Sequence, residues 1–327
     1  MTKIFVTGAD GLLGSNLVRE LIKRNYSVTV LSQKGRYVKT LDGLPIEKTE
    51  GDLLDKESLR KGMKDAEMVI HAAASTSIWP SRNEFVNRVN IEGTQNIMNL
   101  ALELKVQRLV YVGTANTFGF GTKENPGKEG NPYKGGKYGM DYMDSKYKAH
   151  FVVLDAVKKG LNAVIVNPTF MLGPYDSAPS SGAMILAVYN QKVPGFAPGG
   201  RNYICVKDAA IGVANALTMG RTGESYIIGN KNMNYREAFT LMATTLGVQP
   251  PKRMIPGIFI RVYGLIGSFY GTVFRKKPTV SYPMAAISCD EHYFTAEKAV
   301  EELKLPQSPI EEGILEAFNW FKENKYV

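Results

Sequence analysis

The chain of 327 residues carries only two cysteines and three histidines. Cys205 and Cys289 lie in unrelated contexts without metal or redox spacing. That excludes a disulfide framework or a redox motif and makes a reducing cytoplasm the expected compartment for two inert thiols. The histidines form no ligand cluster, so no metal site is expected. No cleavable leader is read before the first apolar run, and no internal repeat or low-complexity tract interrupts the chain, which argues against secretion and against a solenoid. The net charge of +9 favours anionic ligands or surfaces. Its lysines and arginines are scattered rather than interleaved with aromatics, so a nucleic-acid surface is not expected. At 44% hydrophobic and 22% charged, the composition is that of an ordinary globular protein. The length suits one large domain with a smaller companion.

What is present begins at once. An apolar run, Lys3-Ile4-Phe5-Val6-Thr7, breaks into Gly8-Ala9-Asp10-Gly11-Leu12-Leu13-Gly14 and then into a helical pattern through Leu17, Val18, Leu21 and Ile22. This reads as strand, glycine turn and helix. The first glycine allows a sharp turn, the second lets backbone approach a pyrophosphate with no Cβ in the way, and the third lets helix pack on strand. The helix N-terminus, with Leu12 and Leu13 in its first turn, would face the phosphates. Glycines alone are a weak signal, but here they follow a strand, open a helix and lead to a second strand, Ser27 to Leu31.

A dinucleotide with a free ribose 2′-hydroxyl calls for an acid about 20 residues beyond the glycines. The chain instead reads Ser32-Gln33-Lys34-Gly35-Arg36, with Lys39 nearby. A carboxylate would repel a 2′-phosphate, whereas Lys34 and Arg36 would attract one, so NADP is expected over NAD. Further strands and helices alternate to Asn167, which implies a parallel sheet.

The spacing Thr7-Gly8-x-x-Gly11-x-x-Gly14 resembles the opening of the short-chain dehydrogenase/reductase superfamily, and the length resembles its extended branch. Several later stretches carry the same resemblance. Asp52 and Leu53 match residues beside the adenine, and His71-Ala72-Ala73-Ala74 matches a wall of small residues along the cofactor, with His71 structural. Asn90-Ile91-Glu92-Gly93-Thr94 is similar to an Asn-x-x-Gly-Thr signature in which the Asn pins backbone. Gly113-Thr114 stands where the family commonly has two serines, and the resemblance makes Thr114 the catalytic hydroxyl. Ala115-Asn116 replaces the Asp-Glu pair of sugar-nucleotide dehydratases, which disfavours elimination of water. Pro168 to Pro174, with Phe170, is similar to the stretch beside the nicotinamide, and Tyr203 to Ala210 resembles a strand and helix returning to the main domain.

Tyr142-Met143-Asp144-Ser145-Lys146 supplies a Tyr-x-x-x-Lys pair whose i, i+4 spacing puts both side chains on one helix face. A phenol of reference pKa about 10 is neutral at pH 7. An ammonium about 4 Å away would stabilise its anion by roughly 4 kcal/mol at an effective dielectric near 20, or about three pKa units. The resemblance makes Tyr142 the proton donor or acceptor, Lys146 its activator and the ligand of the nicotinamide ribose. Tyr138 and Tyr147 read as decoys on a solvated face.

The expected architecture is α/β, a doubly wound parallel Rossmann sheet with a smaller, discontinuous substrate-binding domain. Residues 1–168 and 203–229 are expected in the first, 169–202 and 230–327 in the second. The expected activity is NADP-dependent reduction of a carbonyl, or oxidation of the secondary alcohol, on a small apolar molecule, as in the dihydroflavonol reductase and 3β-hydroxysteroid dehydrogenase group. A nucleotide-sugar epimerase, with Arg201 toward a diphosphate, and a non-catalytic NADP-sensing protein are the alternatives; a monomer or homodimer is expected. Residues 254–274 form the most apolar stretch. They are expected to make a lid over an apolar substrate or a peripheral membrane contact, and a span is disfavoured by Arg261 near the middle.

Overall fold

The computed structural model describes residues 1–35 and 37–327. Its strands are β1 (Lys3–Thr7), β2 (Ser27–Ser32), β3 (Glu47–Glu50), β4 (Met68–His71), β5 (Arg108–Val112), β6 (Ala163–Pro168), β7 (Phe170–Leu172), β8 (Gly200–Cys205), β9 (Ser225–Ile228), β10 (Lys231–Asn234) and β11 (Glu291–His292). Seven of them form one parallel sheet in the order β3-β2-β1-β4-β5-β6-β9. The order reverses at the β1–β4 neighbourhood, where an open α/β sheet leaves a crevice at the carboxyl ends of its strands.

The helices are α1 (Leu12–Lys23), α2 (Lys56–Met63), α3 (Glu84–Asn87), α4 (Gly93–Glu103), α5 (Asp141–Lys158), α6 (Gly182–Tyr189), α7 (Val206–Asn215), α8 (Tyr235–Leu246), α9 (Gly257–Phe274), α10 (Tyr282–Ser288), α11 (Glu297–Leu303) and α12 (Ile310–Glu323). Side chains alternate across a strand, so a sheet covered on both faces needs apolar residues at every position. In β1, Ile4 and Val6 pack with Leu17 and Val18 of α1 and Val213 of α7, while Phe5 packs with Leu59, Ile97 and Val153 on the other face. A π-helical turn, Arg88–Glu92, leads into α4.

A second sheet is centred on β8, which pairs with β10, β11 and β7. A third core, with Tyr203, Phe239 and Phe321, lies under α6, α8 and α12. The sheets are joined almost without linkers: Thr169 alone separates β6 from β7, and β8 runs straight into α7. Gly229 and Asn230 connect β9 to β10. Asn202, 2% exposed, ties the first and last of these links together. Its Oδ1 accepts from Thr169 Oγ1 at 2.8 Å and from the Asn230 N–H at 3.0 Å. Its Nδ2 donates to Asn232 Oδ1 and to the Phe294 carbonyl.

Candidate active site

The β1–α1 turn holds its three glycines for three different reasons. Gly8 adopts φ +75°, and a Cβ there would lie 2.6 Å from the Ala73 nitrogen. A Cβ on Gly14 would lie 2.0 Å from the Gly8 carbonyl oxygen, so the helix can sit on the turn only without one. At Gly11 the nearest atom to a Cβ would be 3.6 Å away, and this residue is exposed at the N-cap of α1. Open space there, a first turn without acidic side chains and the unbonded N–H groups of a helix start suit a pyrophosphate. Ala72, Ala73 and Ala74 are half-buried beside Gly8. The residues present therefore fit a dinucleotide.

Around this turn the structure places the other expected contacts. Asp52 is exposed, and its Oδ1 accepts the Leu54 N–H at 2.8 Å. Leu53 is buried against Gly93, and its carbonyl accepts from Asn96 Nδ2 at 2.9 Å. Lys34 is exposed just after β2, whereas Arg36 lies outside the described residues. A feature missed in the sequence is Glu50, whose carboxylate accepts the Gly35 N–H at 3.4 Å and so brings an acid to the basic loop from the neighbouring strand. His71 is structural, as expected, with Nδ1 on Thr7 Oγ1 at 2.8 Å and Nε2 on Thr94 Oγ1 at 3.1 Å. Burial holds its pKa down at about 3. Asn90 pins Ser75 through both its carbonyl and its N–H and also donates to Ser145 Oγ.

Thr114, Tyr142 and Lys146 converge beyond the carboxyl end of β5. Thr114 caps the short helical turn Ala115–Thr117, and its hydroxyl lies close enough to the Tyr142 phenol to act on that phenol's pKa. Lys146 is 3% exposed, with Nζ donating to the Val112 carbonyl at 2.8 Å and lying 4.5 Å from the centre of the Tyr111 ring. Arg82 fixes the start of α5 by reaching Asp141 at 2.8 Å and Asp144 at 2.9 Å, on either side of Tyr142. Asp141 also accepts the Asn83 N–H. Acids in this first turn complement the helix dipole.

One expectation is corrected. Burial pushes the Tyr142 phenol up, opposed by the nearby Thr114 hydroxyl, and no lowering by Lys146 is found. Desolvation acts instead on the lysine, whose pKa falls to about 7. A half-charged, desolvated ammonium is a weaker partner than the fully charged one assumed from spacing. Tyr138, read as a solvated decoy, is also corrected: it is 6% exposed and donates to Asp290 Oδ2 at 2.6 Å.

The Tyr138 hydroxyl also meets His292 Nε2 at 3.0 Å, and His292 Nδ1 meets Asn116 Oδ1 at 3.2 Å. Asn116 thus joins a buried polar chain in place of the missing acid pair. Gly113 has its own reason: a Cβ there would lie 2.3 Å from Asn167 Oδ1. Both amide atoms of Asn167 are buried without a partner among the described residues. Pro168 ends β6 opposite Ile228, and Phe170 stands on β7 against Tyr203. Arg201 donates to the Tyr235 hydroxyl at 2.8 Å and stacks on Phe170 at 5.1 Å. Cys205 is buried and Cys289 half-buried, both unpaired. Among the described residues no group of three or more His, Cys, Asp or Glu could hold a metal.

The profile of the NAD dependent epimerase/dehydratase family matches residues 4–229. The chain belongs to that family. As a member of the epimerase/dehydratase family it is an NAD(P)-dependent oxidoreductase of the extended short-chain dehydrogenase/reductase type, with a nicotinamide cofactor. It is 32% identical to a putative dihydroflavonol 4-reductase of Synechocystis over 99% of this chain and 95% of that one. It is 28% identical to sterol demethylase protein B of Methylococcus capsulatus over 98% of this chain and 99% of that one. The crystal structure of gox2253 superposes with a TM-score of 0.87 at 30% identity, covering 99% of both chains.

Proposed function

We propose that this epimerase/dehydratase-family protein is an NADP-dependent reductase of a carbonyl on a small, apolar molecule. The observation that carries the reading is the buried Lys146, whose Nζ is held on the Val112 carbonyl at the end of a sheet whose first turn fits a dinucleotide, with Thr114 two residues beyond that carbonyl and Tyr142 one helical turn before the lysine. When bound, the cofactor supplies the hydride that adds to the carbonyl carbon. Tyr142 gives the proton that completes the alcohol, and the Thr114 hydroxyl donates a hydrogen bond to the same oxygen. Lys146, one helical turn from Tyr142 on the same face, is assigned to hold the nicotinamide ribose and to assist the proton exchange of Tyr142. Ala115 and Asn116 supply no carboxylate for dehydration. The preference for NADP is supported by the exposed Lys34 and the absence of an acid in residues 32–36, against which stands Glu50. An apolar substrate is supported by the relatives, one named for a dihydroflavonol and another for a sterol. The unpaired thiols suit a cytoplasmic setting.

The test is titration of NADPH and NADH, followed by a screen of carbonyl compounds and UDP-sugars at the NADPH absorbance band. NADPH is expected to bind more tightly and to be consumed with an apolar ketone, and Tyr142→Phe is expected to bind it but turn over about a hundredfold more slowly. Equal or tighter NADH binding would remove the cofactor assignment. Sugar interconversion without net NADPH consumption would make the protein an epimerase, and normal turnover by Tyr142→Phe would end the catalytic assignment.

A further inference from the structure

We propose that α9 is an interfacial helix that docks the protein on an anionic bilayer, lying along the headgroup plane. Of the twenty-one large apolar side chains exposed among the described residues, ten are on this one helix, including Phe259 at 65%, Ile266 at 61% and Phe269 at 71%. Water-facing apolar surface of that extent marks a contact. The protein-facing side is a narrow stripe of Ile260, Gly264, Gly267 and Gly271. A Cβ on Gly264 would be 2.5 Å from Ala285 Cβ, and one on Gly267 would be 2.3 Å from the Val280 carbonyl. The helix is therefore pressed flat on the protein by glycines, with its bulky side chains turned away. A lid over a substrate would turn them inward.

Charge selects the occupant. From Ala238 to Cys289 the chain has no Asp or Glu, and it carries Lys252, Arg253, Arg261, Arg275, Lys276 and Lys277. Exposed pairs or triplets of these bases lie at both ends of α9. A second copy paired on this face would bring together the basic clusters at the helix ends, with no acid from Ala238 to Cys289 to offset them. An anionic headgroup layer meets the bases while its acyl boundary takes the apolar side chains. A span is disfavoured on the same observations. The 18 residues reach about 27 Å at 1.5 Å each, short of a hydrocarbon core of about 30 Å. Arg261 sits within the helix, 3.9 Å from Asp290, and one side is held by protein throughout.

The proposal stands apart from the reductase reading and is tested without turnover. Full-length protein is sedimented with phosphatidylcholine vesicles and with mixed phosphatidylcholine/phosphatidylglycerol vesicles. It is expected to pellet with the mixed vesicles and to be released by salt. Ile266→Glu/Phe269→Glu and Arg275→Glu/Lys276→Glu/Lys277→Glu should each lower the bound fraction about tenfold or more, with circular dichroism unchanged, because these side chains are exposed. Protein left in the supernatant, equal pelleting with neutral vesicles, or binding untouched by both variants would overturn the proposal. So would a concentration-dependent dimer, without vesicle binding, that Ile266→Glu/Phe269→Glu breaks, since a second copy would then cover the helix. Recovery from cell membranes only in detergent would make α9 a span and overturn it as well.

Discussion

At Lys146, folding and chemistry pull in opposite directions. The side chain must be charged for part of any proton exchange with Tyr142, yet burial lowers its pKa from 10.5 to about 7. The unfolded chain therefore binds the proton more tightly, and burial of the ammonium destabilises the fold most below pH 7 and least above about pH 10.5. Lys146→Met keeps the length and removes the charge. Its urea midpoint should exceed that of the parent at pH 6, the gap should close toward pH 10, and NADPH consumption should be lost. A variant less stable than the parent at pH 6 would show that the bond from Nζ to the Val112 carbonyl outweighs desolvation. The trio was legible because Tyr142 and Lys146 are four residues apart and Thr114 follows a strand in a recognisable turn. Asn167, whose amide explains Gly113, and His292, which reaches Asn116 across 176 residues, left no local pattern because their partners are set only by folding.

Among the elements, the β1–α1 turn separates binding from packing within one motif. Gly11 has φ −82° and open space around a Cβ, so Gly11→Ala should fold. The added methyl would occupy the approach to the phosphates and should weaken NADPH binding about tenfold or more. Gly14→Ala places its Cβ 2.0 Å from the Gly8 oxygen and should cost about 1–3 kcal/mol or more, as overpacking does. Thermal melts and cofactor titration of the two variants check this; equal loss of stability in both would remove the distinction. Strands and glycine turn were readable from apolar runs and breakers. The facing of α9 was not, because hydropathy counts its Phe and Ile residues and gives no weight to the glycines that make the contact. The π turn at Arg88–Glu92 was hidden likewise, since its periodicity over five residues looks helical.

For the whole molecule, acid is the expected weakness. Burial holds His71 and His292 down at about 3 and His150 at about 4, against 6.5 for the free side chain. Each is lowered in the folded state, so the stability tied to it is complete above about pH 6.5 and is lost as pH falls from there toward 3. In mid-window each histidine contributes a slope of up to about 1.4 kcal/mol per pH unit. Urea midpoints should fall steeply between pH 7 and pH 5, with proton uptake on unfolding. A flat profile there would mean that the histidines are solvated. Fold class and sheet were legible at this scale from the alternation of strands and helices. The second sheet was less so, because β7, β10 and β11 run for only two to four residues, too short for a period-2 signal.

The near absence of linkers between the two sheets carries a mechanical consequence. Thr169 and the Gly229-Asn230 step are both clamped by Asn202, and β8 runs straight into α7, so little slack is left for a hinge between the halves. Heating should then melt both sheets in a single calorimetric peak. Asn202→Ala, which leaves the junction without its clamp, is the substitution expected to split that peak in two.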